Sequence, residues 1–208
     1  MGTLRRAAEA AAIGLALAAP AGAMAGAQQY EVLSASVRAA LTHSVNDRAS
    51  VDMKDLETRA WVRAMTPRVT GRYFTDEETA RSFLGLVRYE SMRAGLDPHL
   101  VLAVIDVESQ FRKYAVSRAG ARGYMQVMPF WTTELGGTEQ GLFAERTNLR
   151  YGCTILRYYL VDREHGNLAN ALARYNGSLG QADYPNRVIA AWRARWALEA
   201  DPVFRKPL

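Results

Sequence analysis

The stretch Asp97 to Phe111, DPHLVLAVIDVESQF, constrains the fold more than any other part of the chain. Asp97 followed by Pro98 is an N-cap and first-turn pair, so a helix is predicted to start there and run to about Phe111. Leu100, Val101, Leu102, Ala103, Val104, Ile105 and Val107 leave that helix almost no polar face. A helix that is apolar nearly all round has to be wrapped by other elements, which makes it a central rod rather than a surface helix. One carboxylate breaks the pattern. Glu108 shares a stripe with Ile105, Val104 and Val101, its neighbours at i−3, i−4 and i−7. Asp106 is two residues away and points to another face, so the two do not form a dyad on this helix. Burial without a cation disfavours a charged carboxylate and raises its pKa, the property a general acid needs near neutral pH. Arg112, at i+4, is the one local cation. A Glu108–Arg112 pair at the helix end is therefore the competing, purely structural reading.

The remaining segments are also helical in pattern, and alternating apolar and polar runs are scarce, so the predicted class is all-α. YEVLSASVRAALTHSV sets Val32, Leu33, Val37, Ala40 and Leu41 at helical spacing, and MKDLETRAWVRAM does the same with Leu56, Ala60 and Ala64. Pro67 and Gly71 are expected to break that helix. Thr75 with Glu78 reads as a capping box for a helix through about Ala94, which Gly95 is placed to end. NLRYGCTILRYYL directs Leu149, Ile155, Leu156 and Tyr159 inward, and ANALARYNGS is a further helix ending at Asn176 and Gly177. Trp192 and Trp196, four apart in VIAAWRARWALEA, read as packing residues.

The first 27 residues differ from the rest. Arg5 and Arg6 precede the run AAAIGLALAA and then small residues, the order of an export signal, with A-x-A sites ending at Ala23, Ala25 and Ala27. A start of the exported protein near Gln28 is expected, in the periplasm or secreted beyond it. The apolar run is too short for a stable membrane anchor, and no later run approaches the needed length. With 208 residues and 49% hydrophobic, the chain can bury one substantial core. A net charge of +5 suits an anionic partner, but the Lys and Arg residues are scattered with no dense basic block, so no nucleic-acid partner is expected. Cys153 is the sole cysteine, which excludes an intrachain disulfide and a multi-cysteine metal site. It reads as a small buried residue. His43, His99 and His165 lack metal-ligand spacing, so no metal is expected.

AVSRAGARGYMQVMPFW places Gly120 and Gly123 ahead of the polar Gln126, a loop able to bring backbone and an amide side chain close to a ligand. Taken in order over residues 97 to 194, ESQF, AVSRAGARGYMQVMP, NLRYGCTILRYYL and ALARYNGS resemble the soluble lytic transglycosylase family. That resemblance implies a lysozyme-like helical fold acting on the glycan strand of peptidoglycan without a cofactor. It implies residues 75–200 as the catalytic domain; 28–74 lie outside the resemblance and are expected to form an accessory helical lobe, with 201–208 as a tail.

By the same resemblance, Glu108 takes the place of the single catalytic acid. Tyr124, Met125 and Gln126 in GYMQVMP match the element that lines the sugar groove. Ser117 matches a serine near the cleft, and Tyr175 with Asn176 matches a pair whose tyrosine hydroxyl approaches the acid. Tyr124 departs from the family's usual leucine, and YNGS departs from the residues that commonly follow the pair, which bears on subsite preference. Most glycosidases need two carboxylates, and no second one is tied to a motif here. The family's reaction uses one acid that protonates the bridging oxygen and then takes the proton of the muramyl 6-hydroxyl, giving a 1,6-anhydro product. Two other readings stand beside it. A goose-type lysozyme-like hydrolase would need a further carboxylate for water, such as Asp183 or Glu145. A non-catalytic glycan-binding module would keep the groove without the acid.

Overall fold

The computed structural model describes residues 28–47 and 55–198. The predicted leader (1–27), the tail (201–208), and Met53 and Lys54 of the second predicted helix lie outside the described residues. The all-α expectation holds. The order is α1 (Ala35–Asn46), α2 (Leu56–Val69), α3 (Glu77–Arg93), α4 (Pro98–Ser109), α5 (Phe130–Leu135), a 3-10 turn (Gln140–Phe143), α6 (Glu145–Tyr158), a π segment (Tyr159–Arg163), α7 (Leu168–Asn176), α8 (Asp183–Ala191) and a second π segment (Trp192–Trp196). Extended pairing among the described residues is limited to three isolated bridges, two of them, Val116 with Arg122 and Arg122 with Val127, in the glycine-punctuated loop.

α4 is the central rod. Every residue from Pro98 to Asp106 is buried, with α3 and α8 packed along the helix. Asp97 caps it by accepting from the His99 N–H at 2.7 Å. The helix stops two residues before the predicted end, because Gln110 and Phe111 both adopt left-handed backbone, φ 52° and 60°. Such a conformation costs energy in a non-glycine residue and persists only where packing over-determines it. Here the Phe111 ring stacks on Tyr73 with centroids 4.3 Å apart and lies 5.3 Å from Trp196. The reversal therefore swings the chain away one turn after Glu108 and leaves that residue on the final turn of a rigid helix.

Several local expectations shift. Pro67 does not break α2, which runs on to Val69 with Met65 and Val69 fully buried. The proline falls in the last turn, so only one ladder hydrogen bond is forfeited and packing of Met65 and Val69 outweighs it. The buried face of α2 is Trp61, Val62, Met65 and Val69, not the Leu56, Ala60 and Ala64 stripe, which is exposed. The larger side chains one position along win the core. The cap of α3 is Asp76, whose carboxylate accepts from Thr79 N–H at 2.7 Å, one residue beyond the predicted Thr75. In the first segment Leu33 and Leu41 are buried while Val32 is exposed.

α1 packs on α6 and α5, and α2 packs on α3. Their buried residues join the same continuous core as the rest. At the α3 and α6 seam sits another glutamate of the helical body. Glu90 is fully buried and ion-paired with Arg150 (2.8 Å), Arg93 (2.9 Å) and Arg146 (3.4 Å). Cys153, also on α6, is fully buried, and that burial pushes its thiol well above the ordinary range.

Candidate active site

Glu108 lies where α4 meets α8 and the end of α7. Tyr184, in the first turn of α8, donates its hydroxyl to Glu108 Oε1 at 2.6 Å. The glutamate keeps some exposure towards a groove, yet the side chains crowding its carboxyl strip away most of its hydration. That desolvation raises its pKa from 4.5 to about 7, against the opposing pull of the Tyr184 hydrogen bond, the Arg187 charge and a hydrogen bond from Asn176. The cation acting on Glu108 is thus Arg187 on α8, whose guanidinium also lies 5.8 Å from the Tyr184 ring centroid. Arg112 instead donates its Nε to the Ser109 carbonyl at 2.9 Å. The structural alternative of an Arg112 pair does not form.

The groove beside Glu108 has a volume of about 740 Å³ and is bordered by Arg112, Lys113, Tyr114, Ser117 and Gln126. Its wall is the loop from Ala115 to Val127. Gln126 holds that loop closed. With φ 49° it turns its side chain back, and Nε2 donates to the carbonyls of Gly123 (2.9 Å) and Ala115 (3.2 Å). Ser117 Oγ accepts from Ala121 N–H at 3.1 Å, which tightens the turn at the groove edge. Gly123 is required by close approach. A side chain there would strike the Leu142 carbonyl at 2.7 Å and the Asn148 amide.

Of the residues singled out in the sequence, the structure brings Glu108, Ser117 and Gln126 to the groove and sets Asn176 at the carboxyl. Tyr124 and Met125 turn inward. The Tyr124 ring packs on Phe83, centroids 4.5 Å apart, and Met125 is fully buried. The Tyr175 hydroxyl donates to the Met125 carbonyl at 2.7 Å, so the phenol that bonds the acid is Tyr184. Asp183 is exposed, and Glu145 is tied to Lys113 at 3.4 Å; neither carboxylate is among the groups acting on Glu108. Among the described residues no group of three His, Cys, Asp or Glu side chains is arranged to hold a metal ion.

Sequence reasoning missed three contributors. Tyr184 and Arg187 come from a helix that no motif marks. Asn148 is the loop's anchor, accepting from Met125 N–H (2.7 Å) and donating to the carbonyls of Arg122 and Leu142 (both 2.8 Å). A polar residue opening an otherwise inward-facing helix was its visible signal. Gln28 is a further surprise. Buried to 4% exposure, it donates to the Gln126 carbonyl at 3.1 Å, accepts from Met128 N–H at 2.9 Å, and hydrogen-bonds Tyr175.

The family model described as the Transglycosylase SLT domain matches residues 85–188, a span that runs from the middle of α3 to α8 and contains every residue that acts on Glu108. The chain belongs to this family. Among curated proteins, the membrane-bound lytic murein transglycosylase C of Actinobacillus pleuropneumoniae serotype 5b (strain L20) is 51% identical over 53 residues, 26% of this chain and 14% of that protein. The protein of the same description from Glaesserella parasuis serovar 5 (strain SH0165) is 53% identical over 53 residues, 26% of this chain and 15% of that protein. The matched stretch is thus about one seventh of the relatives' own length. A solved structure of an inactive mutant of the lytic transglycosylase Slt from Pseudomonas aeruginosa aligns at 25% identity with a TM-score of 0.43, over 62% of this chain and 21% of that one.

Proposed function

We propose that this SLT-family chain is a peptidoglycan lytic transglycosylase that cuts the β-1,4 bond between N-acetylmuramic acid and N-acetylglucosamine. The observation that carries this reading is Glu108, a lone carboxyl raised to about 7 at the edge of a groove, with a phenol and not an arginine against its oxygen. Protonated Glu108 gives its proton to the bridging oxygen, and the bond from that oxygen to the muramyl anomeric carbon breaks. The N-acetyl group of the substrate stabilises the positive carbon. The carboxylate left behind is held by Tyr184, Asn176 and Arg187, all of which favour its charged form. It then takes the proton of the muramyl 6-hydroxyl as that oxygen attacks the same carbon, closing a 1,6-anhydro ring and restoring the acid. A tethered hydroxyl competes well with water because its effective concentration is high.

In this reading Ser117 and Gln126 meet the sugar at the groove wall, while Tyr124 and Met125 act from behind by fixing the loop, and Tyr175 and Asn176 complete the surround of the acid. Residues 75–200 carry the chemistry. Residues 28–74 brace it, with Gln28 tying the first described segment to the loop. Export to the periplasm or beyond rests on the pattern of the first 27 residues and suits a cell-wall substrate. No described helix is long and apolar enough to cross a membrane.

Mass spectrometry of digested peptidoglycan tests the reading. Anhydromuropeptides are expected. Reducing-end muropeptides would replace it with the goose-type hydrolase, and no released product would leave a glycan-binding module.

A further inference from the structure

Beside the Glu108 groove the chain carries a strongly basic depression of which the proposed chemistry uses Arg187 alone. Two cavities, of about 710 and 440 Å³, adjoin through shared walls at Arg72, Tyr73 and Arg195. Five arginines line them, Arg68, Arg72, Arg187, Arg193 and Arg195, against one carboxylate, Asp106. That carboxylate is already committed, to Arg195 at 2.8 Å, the Tyr73 hydroxyl at 2.9 Å and the Trp196 indole at 3.1 Å. Arg68 is hydrogen-bonded to the carbonyls of Arg195 and Ala197, which neutralises none of its charge. Arg72 and Arg187 lie over the Tyr73 and Tyr184 rings. Among the described residues no carboxylate pairs with Arg68, Arg72 or Arg193, and the carboxyl that Arg187 acts on is Glu108.

We propose that this arginine groove binds the free carboxylates of the peptide borne by the muramyl sugar, so that the protein prefers stem-bearing strands over bare glycan. The inference rests on the transglycosylase reading. Its placement follows from α4. Val107, immediately before Glu108, and Gln110, two residues after it, line the larger cavity, and Arg187 faces both that cavity and the Glu108 carboxyl. The sugar whose bond is cut is also the one that carries the peptide, so the peptide leaves the strand within one ring of Glu108. The sugar rings themselves offer these cations no anion. Guanidinium groups pair with carboxylates through two parallel hydrogen bonds, and a concave cluster of like charge raises the local concentration of its counter-ion.

Arg72→Gln combined with Arg193→Gln tests this without touching the groups that act on Glu108. The probes are a synthetic muramyl peptide with free carboxylates and its fully amidated counterpart, titrated calorimetrically. The acid form is expected to bind roughly three- to tenfold more weakly to the double variant, by the usual range for two exposed charge pairs, and to lose affinity as salt is added. The amidated form is expected to bind both proteins equally weakly. In turnover, KM is expected to rise on stem-bearing strands and to stay unchanged on strands stripped of peptide by an amidase. Equal affinity for acid and amidated probes would overturn the proposal, as would an equal loss on both kinds of strand. Unchanged muramyl-peptide binding with lost affinity for phosphatidylglycerol vesicles would overturn it in favour of a lipid surface. If the wild-type protein cleaves neither strand, the transglycosylase reading fails while the two titrations still decide the groove.

Discussion

Two glutamates sit within the helical body of this chain, one helix apart, and they have opposite surroundings. Glu90 on α3 is sealed from solvent with three arginines on its two oxygens. Glu108 on α4 meets a phenol, an amide and one guanidinium, and it borders a groove. Burial alone therefore does not set how readily a carboxyl gains or loses its proton. What separates the pair is whether burial is matched by cations, which fixes Glu90 as a charged strut, or left partly unmatched, which keeps Glu108 able to hold and release a proton near neutral pH.

Substitution should separate the two glutamates sharply. Glu108→Gln is expected to lower turnover of peptidoglycan by about 10²- to 10⁴-fold, the usual worth of a general acid, while the fold is retained. Glu90→Gln should do the reverse, removing about 3 kcal/mol of stability by leaving the buried Arg150 and the partly buried Arg93 and Arg146 without their anion, with near-normal turnover per folded molecule. Denaturant melts beside turnover assays would show it, and a stable but inactive Glu90→Gln protein would erase the distinction.

The pH dependence carries the next effect. A carboxyl raised to about 7 in the folded chain favours folding while protonated, and that contribution drains away as pH climbs from 4.5 through about 7. Above this window Glu108 costs about 3 kcal/mol, so Glu108→Gln should be the more stable protein at pH 8 and equal to wild type at pH 4. Melting curves at the two pH values check this, and a Gln variant no more stable at pH 8 would contradict it. Tyr184→Phe removes a hydrogen bond that favours the charged form, so the midpoint at which activity falls with rising pH should move upward, with turnover reduced about tenfold. An unmoved midpoint would separate Tyr184 from the acid. The smallest expected change is in the brace. Gln28→Ala should cost about 1 to 2 kcal/mol by orphaning the Gln126 carbonyl and the Met128 N–H, with kcat reduced more than KM is raised. Thermal melts and steady-state kinetics of that variant read both quantities.

Much of this comparison was legible beforehand in the helix that carries Glu108. Its cap, its central burial and the misfit of the acid follow from spacing along one element, because a 3.6-residue period fixes which side chains share a face. The stripe on α2 and the cap of α3 came out one position away, since competing apolar residues and adjacent capping groups differ too little in local preference to settle a register that packing decides. The partners of Glu108 were illegible for another reason. Tyr184 and Arg187 are 76 and 79 positions along the chain from Glu108, and Gln28 lies outside every recognised motif. Only the folded arrangement brings a phenol from α8 to the end of α4. The Tyr175 hydroxyl, placed near the acid by resemblance, does feel the Glu108 charge but gives its hydrogen bond to the Met125 carbonyl. The arginine groove was equally hidden, because its members come from the end of α2 and from α8 onward, and scattered arginines look alike until the chain folds.

The most direct trial is a carbon-detected NMR titration of protein labelled at its glutamate carboxyls, with the Glu108 signal assigned by its loss in Glu108→Gln. A midpoint near 7 is expected for that one resonance. A midpoint at or below the ordinary 4.5 would mean that Glu108 is already charged at neutral pH and has no proton to give the sugar bridge.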